Sequence, residues 1–218
     1  MALDYKLSTE NIKQRLLVAH DPKQATVRCQ FFDAEYAFFR AHIRDQKILV
    51  AGAGLGHDSF ELVGYNRAVV GVELLEPFVD YSRNQAKILG LDNVVFQQGD
   101  ITSLLFSDGE FDSAVLNMGT LGNFDDKNQV LHELSRVANH VYFDFYPPTR
   151  DGLEKRRVMY SEEKWKNVRI EGTRVVSDDG LDSSSLSQKE VSGIVHSLGL
   201  KVNYNQFHEV SIMAEVTR

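Results

Sequence analysis

Three glycines stand at alternate positions in KILVAGAGLG, residues 47–56, directly after a short apolar run, and an acid, Glu73, follows one strand–helix–strand unit later. Ile48, Leu49, Val50 and Ala51 suit a strand buried on both faces. Gly52, Gly54 and Gly56 permit a tight turn through which the backbone can approach a ligand closely. Glu73 ends the next strand in VVGVELLEP, where a carboxylate can accept hydrogen bonds from both hydroxyls of a ribose. The chemistry suggested is the holding of a nucleotide-like cofactor. In a dinucleotide turn, G-x-G-x-x-G, the last glycine would fall at His57, and no Lys-Ser/Thr pair follows Gly56 as it would in a P-loop. A ligand carrying adenosine but no phosphate fits this spacing better.

On this strand, turn and acid, the chain resembles the class I S-adenosylmethionine-dependent methyltransferases over residues 47–218. The resemblance implies S-adenosylmethionine as cofactor and S-adenosylhomocysteine as product. It sets Gly52, Ala53, Gly54 and Gly56 against the cofactor, with Glu73 on the ribose and Leu74 beside it. Asp100, which ends the third strand in VVFQQGDI, then accepts from the adenine amino group while Ile101 packs on the ring; the alternative for Asp100 is a helix N-cap. Backbone carbonyls of Asn117, Met118 and Gly119, after the fourth strand, would hold the amino group of the methionine portion. His57 and Asp58 open a helix whose N-terminal amides favour an anion such as the cofactor carboxylate. The chain departs from the commonest pattern at Ala51, where many relatives carry an acid.

Methyl transfer from a sulfonium is an in-line displacement, so alignment of the acceptor and exclusion of water are the main requirements. The [DN]-P-P-[YF] motif of base-methylating enzymes would follow the fourth strand, where the chain reads Asn117-Met118-Gly119-Thr120. Tyr146-Pro147-Pro148 comes after the fifth strand, where prolines stop a strand. No catechol-type magnesium site is recognisable, and no metal is expected. Gly119-Thr120-Leu121-Gly122-Asn123-Phe124 resembles a turn of amino-acid N-methyltransferases of the histidine-betaine type, which implies that Asn123 helps bind substrate, though it also suits a helix cap. Asp144 and Tyr146, ending the fifth strand, could receive a cationic amine, since aromatic faces attract cations. Asn123, Asp144 and Tyr146 are therefore the candidates for orienting the acceptor, with Tyr36 or Phe32 lining its pocket. The leading expectation is methylation of a small amine or amino-acid-like molecule. Alternatives are O-methylation, methylation of a protein or peptide, and a catalytically silent cofactor-binding subunit.

These residues need elements to position them. Short apolar runs at residues 47–51, 68–72, 94–97, 111–116 and 140–145 read as strands. Helices are expected over 57–65, 76–89 and 126–138, with a short one near 101–105. Such alternation implies a parallel sheet covered on both faces, with ligands at the carboxyl ends of its strands. A helical preface comes first, capped by Ser8 or Thr9 and carrying Ile12, Leu16 and Leu17, with a break at Asp21-Pro22 and a second segment over 33–43. Its rings, Phe31, Phe32, Tyr36, Phe38 and Phe39, are expected mostly in the core. In the tail, 168–177 alternates like a strand, Asp178-Asp179-Gly180 turns the chain, Ser187 caps a helix over 188–198, and strands over 201–205 and 207–217 finish the domain. The expected fold is α/β, a doubly wound, seven-stranded, mostly parallel sheet of the Rossmann-like methyltransferase type. Residues 1–218 form one domain, with 1–45 as an N-terminal helical cap and 46–218 as the core.

The net charge of −7 and isoelectric point near 5.5 oppose a nucleic-acid partner. Lys155, Arg156 and Arg157 make the only dense basic patch, expected as a solvated loop or helix end. The single cysteine, Cys29, excludes a disulfide framework and fits a reducing compartment, so a cytoplasmic location is expected. No membrane association is expected, a small molecule is the expected partner, and a homo-oligomer is left open.

Overall fold

A computed structural model describes residues 9–218. Two helices, α1 (Thr9–Ala19) and α2 (Thr26–His42), come first. Thr9 is the first residue of α1, and Ser8 lies outside the described residues. There follow β1 (Lys47–Ala51), α3 (His57–Val63), β2 (Ala68–Glu73), α4 (Glu76–Leu89), β3 (Val94–Gln98) and β4 (Phe111–Leu116). A 3-10 turn over Thr120–Asn123 leads to α5 (Lys127–Val137) and β5 (Ala138–Phe145). The chain continues through α6 (Arg150–Glu162), three short strands β6 (Arg169–Glu171), β7 (Arg174–Val176) and β8 (Asp182–Ser183), then α7 (Gln188–Ser197), β9 (Lys201–His208) and β10 (Ser211–Thr217).

Local chemistry sets several of these boundaries. Asp126 caps α5 by accepting the Gln129 N–H at 2.9 Å, and Ser187 with Glu190 forms a capping box at the start of α7. Gly90 ends α4 at φ +65°, a left-handed conformation that costs glycine little.

Seven strands form one sheet in the order β3-β2-β1-β4-β5-β10-β9, and only β10 runs antiparallel to its neighbours. Alternate residues of β1 enter opposite cores. Leu49 and Ala51 pack with α5, α7 and β5 residues such as Leu131, Val191 and Phe143, while Ile48 and Val50 pack with Phe39, Leu62 and Val79 from the helices of the other face. A strand at the centre of a doubly covered sheet therefore reads as a continuous apolar run. Fully burying one such side chain contributes roughly 1.5–3 kcal/mol. Among the described residues no helix is long and apolar enough to cross a membrane.

Five expectations need correction. No helix forms over 101–105, because Asp100 Oδ1 takes both the N–H and the hydroxyl of Thr102 and holds a turn instead. The segment 168–177 is two strands, β6 and β7, folded back at Gly172 (φ +62°) and joined by β8 into a separate three-stranded sheet. The final hairpin turns at Glu209-Val210, later than residue 206. Helix α6 was not foreseen, and it moves the basic patch. Arg156 is fully buried, whereas Lys155 and Arg157 point outward to Glu209 and Glu154. Lastly, α2 begins at Thr26 rather than 33, because its buried face includes Arg28 and Glu35 among Phe31, Phe32, Phe38 and Phe39. Polar residues on that face hide the helical period from a hydrophobicity pattern.

Candidate functional site

The strand order reverses between β1 and β4, and the crevice outside their carboxyl ends is where open α/β sheets bind ligands. Gly52, Gly54 and Gly56 turn the chain there with φ of +67°, +54° and +85°. At Gly56 a side chain is excluded as well, since a Cβ would approach the Phe60 and Phe96 rings to 2.9 Å. Glu73 at the end of β2 accepts the Gly54 N–H through Oε2 at 3.0 Å and the Leu75 N–H through Oε1 at 2.9 Å. One backbone bond to each oxygen fixes the carboxylate beside the glycine turn and leaves further lone pairs for hydroxyl donors.

Asp58, in the first turn of α3, accepts from Asn117 Nδ2 at 2.8 Å and from the Tyr36 hydroxyl at 3.3 Å. This ties α2, α3 and the end of β4 together. Burial raises the Asp58 carboxyl above its ordinary range, opposed by these two bonds. Met118 and Gly119 both take positive φ, +60° and +63°, and the Gly119 N–H is held by Asp144 Oδ1 at 2.9 Å. Asp144 has no exposed surface, and burial pushes its carboxyl up to about 6. Its Oδ2 lies 2.7 Å from Ser211 Oγ, which also lies 3.0 Å from the Phe145 carbonyl. The Gly119 N–H and the Ser211 hydroxyl both donate to this carboxyl and oppose the rise that burial causes.

Tyr146 packs its ring edge against Gly119, where a Cβ would come within 2.4 Å. The Tyr146 hydroxyl accepts from Arg28 Nη1 at 3.1 Å, and Arg28 in turn donates through Nε to Glu163 at 2.7 Å. Arg156 lies over the other side of the ring, 4.7 Å from its centroid, and donates to Ser183, Ser184 and Ser185. Above this layer His20 stacks between Phe32 (4.1 Å) and His57 (3.5 Å). Its Nδ1 meets the Leu16 carbonyl at 2.9 Å and must carry the ring proton. Burial lowers His20 to about 3 and His57 to about 4, so both rings are neutral near pH 7.

The glycine turn, Asp58, Glu73, Asn117, Met118, Gly119, Asp144, Tyr146 and Tyr36 thus gather around one crevice. Ile101 is buried, and Leu74 is largely exposed beside Glu73. Asp100 is exposed, and its bonds from the Thr102 N–H and hydroxyl hold its carboxyl below the ordinary range. Asn123 sits exposed at the end of the 3-10 turn. Sequence reasoning missed Arg28, Glu35 and His20. A signal existed for Glu35: in FFDAEYAFF a period of three to four from the phenylalanines places Glu35, and not Asp33, on the apolar stripe. Glu35 is fully buried, and neither carboxyl oxygen has a hydrogen-bond partner.

The sheet order and the crevice at its reversal define the class of fold: that of the Rossmann-like, S-adenosylmethionine-dependent methyltransferases. Residues 43–144 match the family model described as a methyltransferase domain. An uncharacterized methyltransferase of Bacillus subtilis, YcgJ, is 30% identical over 115 residues, 51% of this chain and 45% of that protein. The demethylmenaquinone methyltransferase of Bacillus cytotoxicus is 29% identical over 102 residues, 45% of this chain and 43% of that one. The chain spans about half the length of the curated relatives it matches. Among solved structures, the magnesium protoporphyrin IX methyltransferase of Synechocystis with bound SAH superposes with a TM-score of 0.68 at 17% identity, over 96% of this chain and 95% of that one.

Proposed function

We propose that the chain is an S-adenosylmethionine-dependent methyltransferase, a single domain acting on a small amine or amino-acid-like acceptor. The observation that carries the cofactor reading is Glu73, fixed by two backbone amides beside a glycine turn with room for a ligand at Gly54. The residues fit the cofactor in a second respect. Asn117 Oδ1, after β4, and His57 Nε2 and Ser59 Oγ, in the first turn of α3, are buried without hydrogen-bond partners, and orphaned polar atoms call for an occupant. Glu73 would hold the ribose, Gly52 to Gly56 the backbone-facing edge, and Asn117 with the Gly119 turn the amino-acid portion. Asp100 and Ile101 would hold the adenine. When bound, the cofactor supplies an electrophilic methyl group. The chain's own part is positioning: Asp144 rigidifies the Gly119 turn, Tyr146 backs it, and α1 and α2 roof it with Phe31, Phe32 and Tyr36 to exclude water.

Carbon methylation of an aromatic ring is the second reading, favoured by the ring-lined roof and by the similarity to a demethylmenaquinone methyltransferase. The test is transfer of labelled methyl from S-adenosylmethionine to fractionated cell extract. Label in small, amine-containing products is expected. Label confined to ring carbon, to hydroxyl products or to macromolecules contradicts the amine assignment while leaving the cofactor reading intact.

A further inference from the structure

We propose that Glu35, held on the buried face of α2, is the carboxylate that receives the ammonium group of the acceptor and takes a proton from it. This rests on the reading of the acceptor as an amine. Glu35 follows Arg28 by seven residues, two helical turns, so both lie on the stripe of α2 that also carries Phe31, Phe32, Phe38 and Phe39. Arg28 is satisfied by Glu163 and Tyr146, whereas Glu35, fully buried, has two carboxyl oxygens with no partner.

A buried carboxyl left unbonded is costly whether charged or neutral, unless a ligand completes it. The surroundings indicate the sign of that ligand. Asp58 from α3 and Asp144 from β5 both act on Glu35 to oppose its ionisation, and Arg28 is the cation that favours it. Burial is the largest influence, and together these hold the Glu35 carboxyl well above the ordinary range. The unmet ring nitrogen of His20 has the same polarity: with its proton on Nδ1, His20 leaves Nε2 as an acceptor. Unmet acceptors beside two further acids call for a donor-rich cation, and an organic ammonium is one.

The chemistry balances simply. An ammonium nitrogen has no lone pair and cannot act as a nucleophile. As the cation binds, Glu35 gives its own proton to water; one N–H bond of the ammonium then breaks, its electron pair stays on nitrogen, and the proton forms a new O–H bond with the Glu35 carboxylate, which later releases it to water. A carboxyl whose affinity for protons is already raised is matched to this task.

The test uses the full chain with 13C-labelled Glu carboxyls, saturated with S-adenosylhomocysteine and titrated by NMR with and without ethylammonium or glycine. The Glu35 resonance should titrate well above an ordinary carboxylate without amine, and its midpoint should fall by at least one pH unit when amine is added; acetamide should leave it in place. Glu35→Gln should lose amine binding at least tenfold and keep its S-adenosylhomocysteine affinity within twofold. An unchanged Glu35 midpoint in the wild-type protein overturns the proposal without recourse to any variant. If wild-type protein binds and methylates amines and Glu35→Gln does so equally, the Glu35 assignment fails while the amine reading stands. If wild-type protein binds S-adenosylhomocysteine and no amine, both fail.

Discussion

Asp144 is a fully buried carboxyl held between two donors. Its two oxygens are taken by the Gly119 amide and Ser211, and burial lifts it to about 6 from an ordinary value of 3.8. Between those values the folded protein keeps a proton that the unfolded chain releases. This contribution to stability is therefore complete below about pH 4 and is lost as pH rises to about 6, on the order of 3 kcal/mol. Asn at this position can accept from Gly119 and donate to Ser211 with no charge to bury. Urea unfolding at pH 4.5 and pH 7 should find Asp144→Asn gaining stability over wild type at the higher pH, while equal pH dependence in the two proteins would refute the raised carboxyl. At this scale the sequence was informative wherever a residue type had a restricted use. Gly56 has no room for a side chain, and Glu73 ends its strand beside the turn. It was least informative where burial reversed the usual meaning of a residue, as for Arg156 and Glu35, because solvent exclusion depends on elements far away in the chain.

Helix α2 links the cap to the rest of the molecule through charge as well as rings. Arg28 and Glu163 form an ion pair with side-chain exposures of 1% and 6%, joining α2 to the end of α6. Removing one partner leaves a buried charge uncompensated, which typically costs 3–5 kcal/mol. Glu163→Gln should therefore destabilise the protein by about 3 kcal/mol, read by denaturant unfolding. A change below about 1 kcal/mol would mean that Arg28, which also donates to Tyr146, finds other support. The strands and helices from β1 to β5 were legible because each repeats one local pattern under one set of neighbours. Helix α6 and the small β6-β7-β8 sheet were not. Their apolar residues, Leu153, Met159, Tyr160 and Val175, make a satellite cluster with Val27 of α2, and no local periodicity announces such a contact.

The stretch that matches the methyltransferase domain and the segments outside it contribute different walls of the candidate site. The cofactor side is built from β1, β2 and β4 within the stretch that matches the methyltransferase domain, residues 43–144. The roof and the back wall come from α1, α2, α6 and the strands after residue 144, which that match does not reach. On the proposed function, acceptor recognition falls to the parts of the chain in which Tyr36, Glu35, Arg28 and Tyr146 reside, and cofactor recognition to Glu73 and the glycine turn. The most direct test is calorimetric titration of the purified chain with S-adenosylhomocysteine, alongside Glu73→Ala. Wild-type protein should bind one equivalent, and the variant should bind at least tenfold more weakly, a loss of about 1.4 kcal/mol or more. Absence of binding by the wild-type protein, or equal affinity in the variant, would contradict the account at its centre.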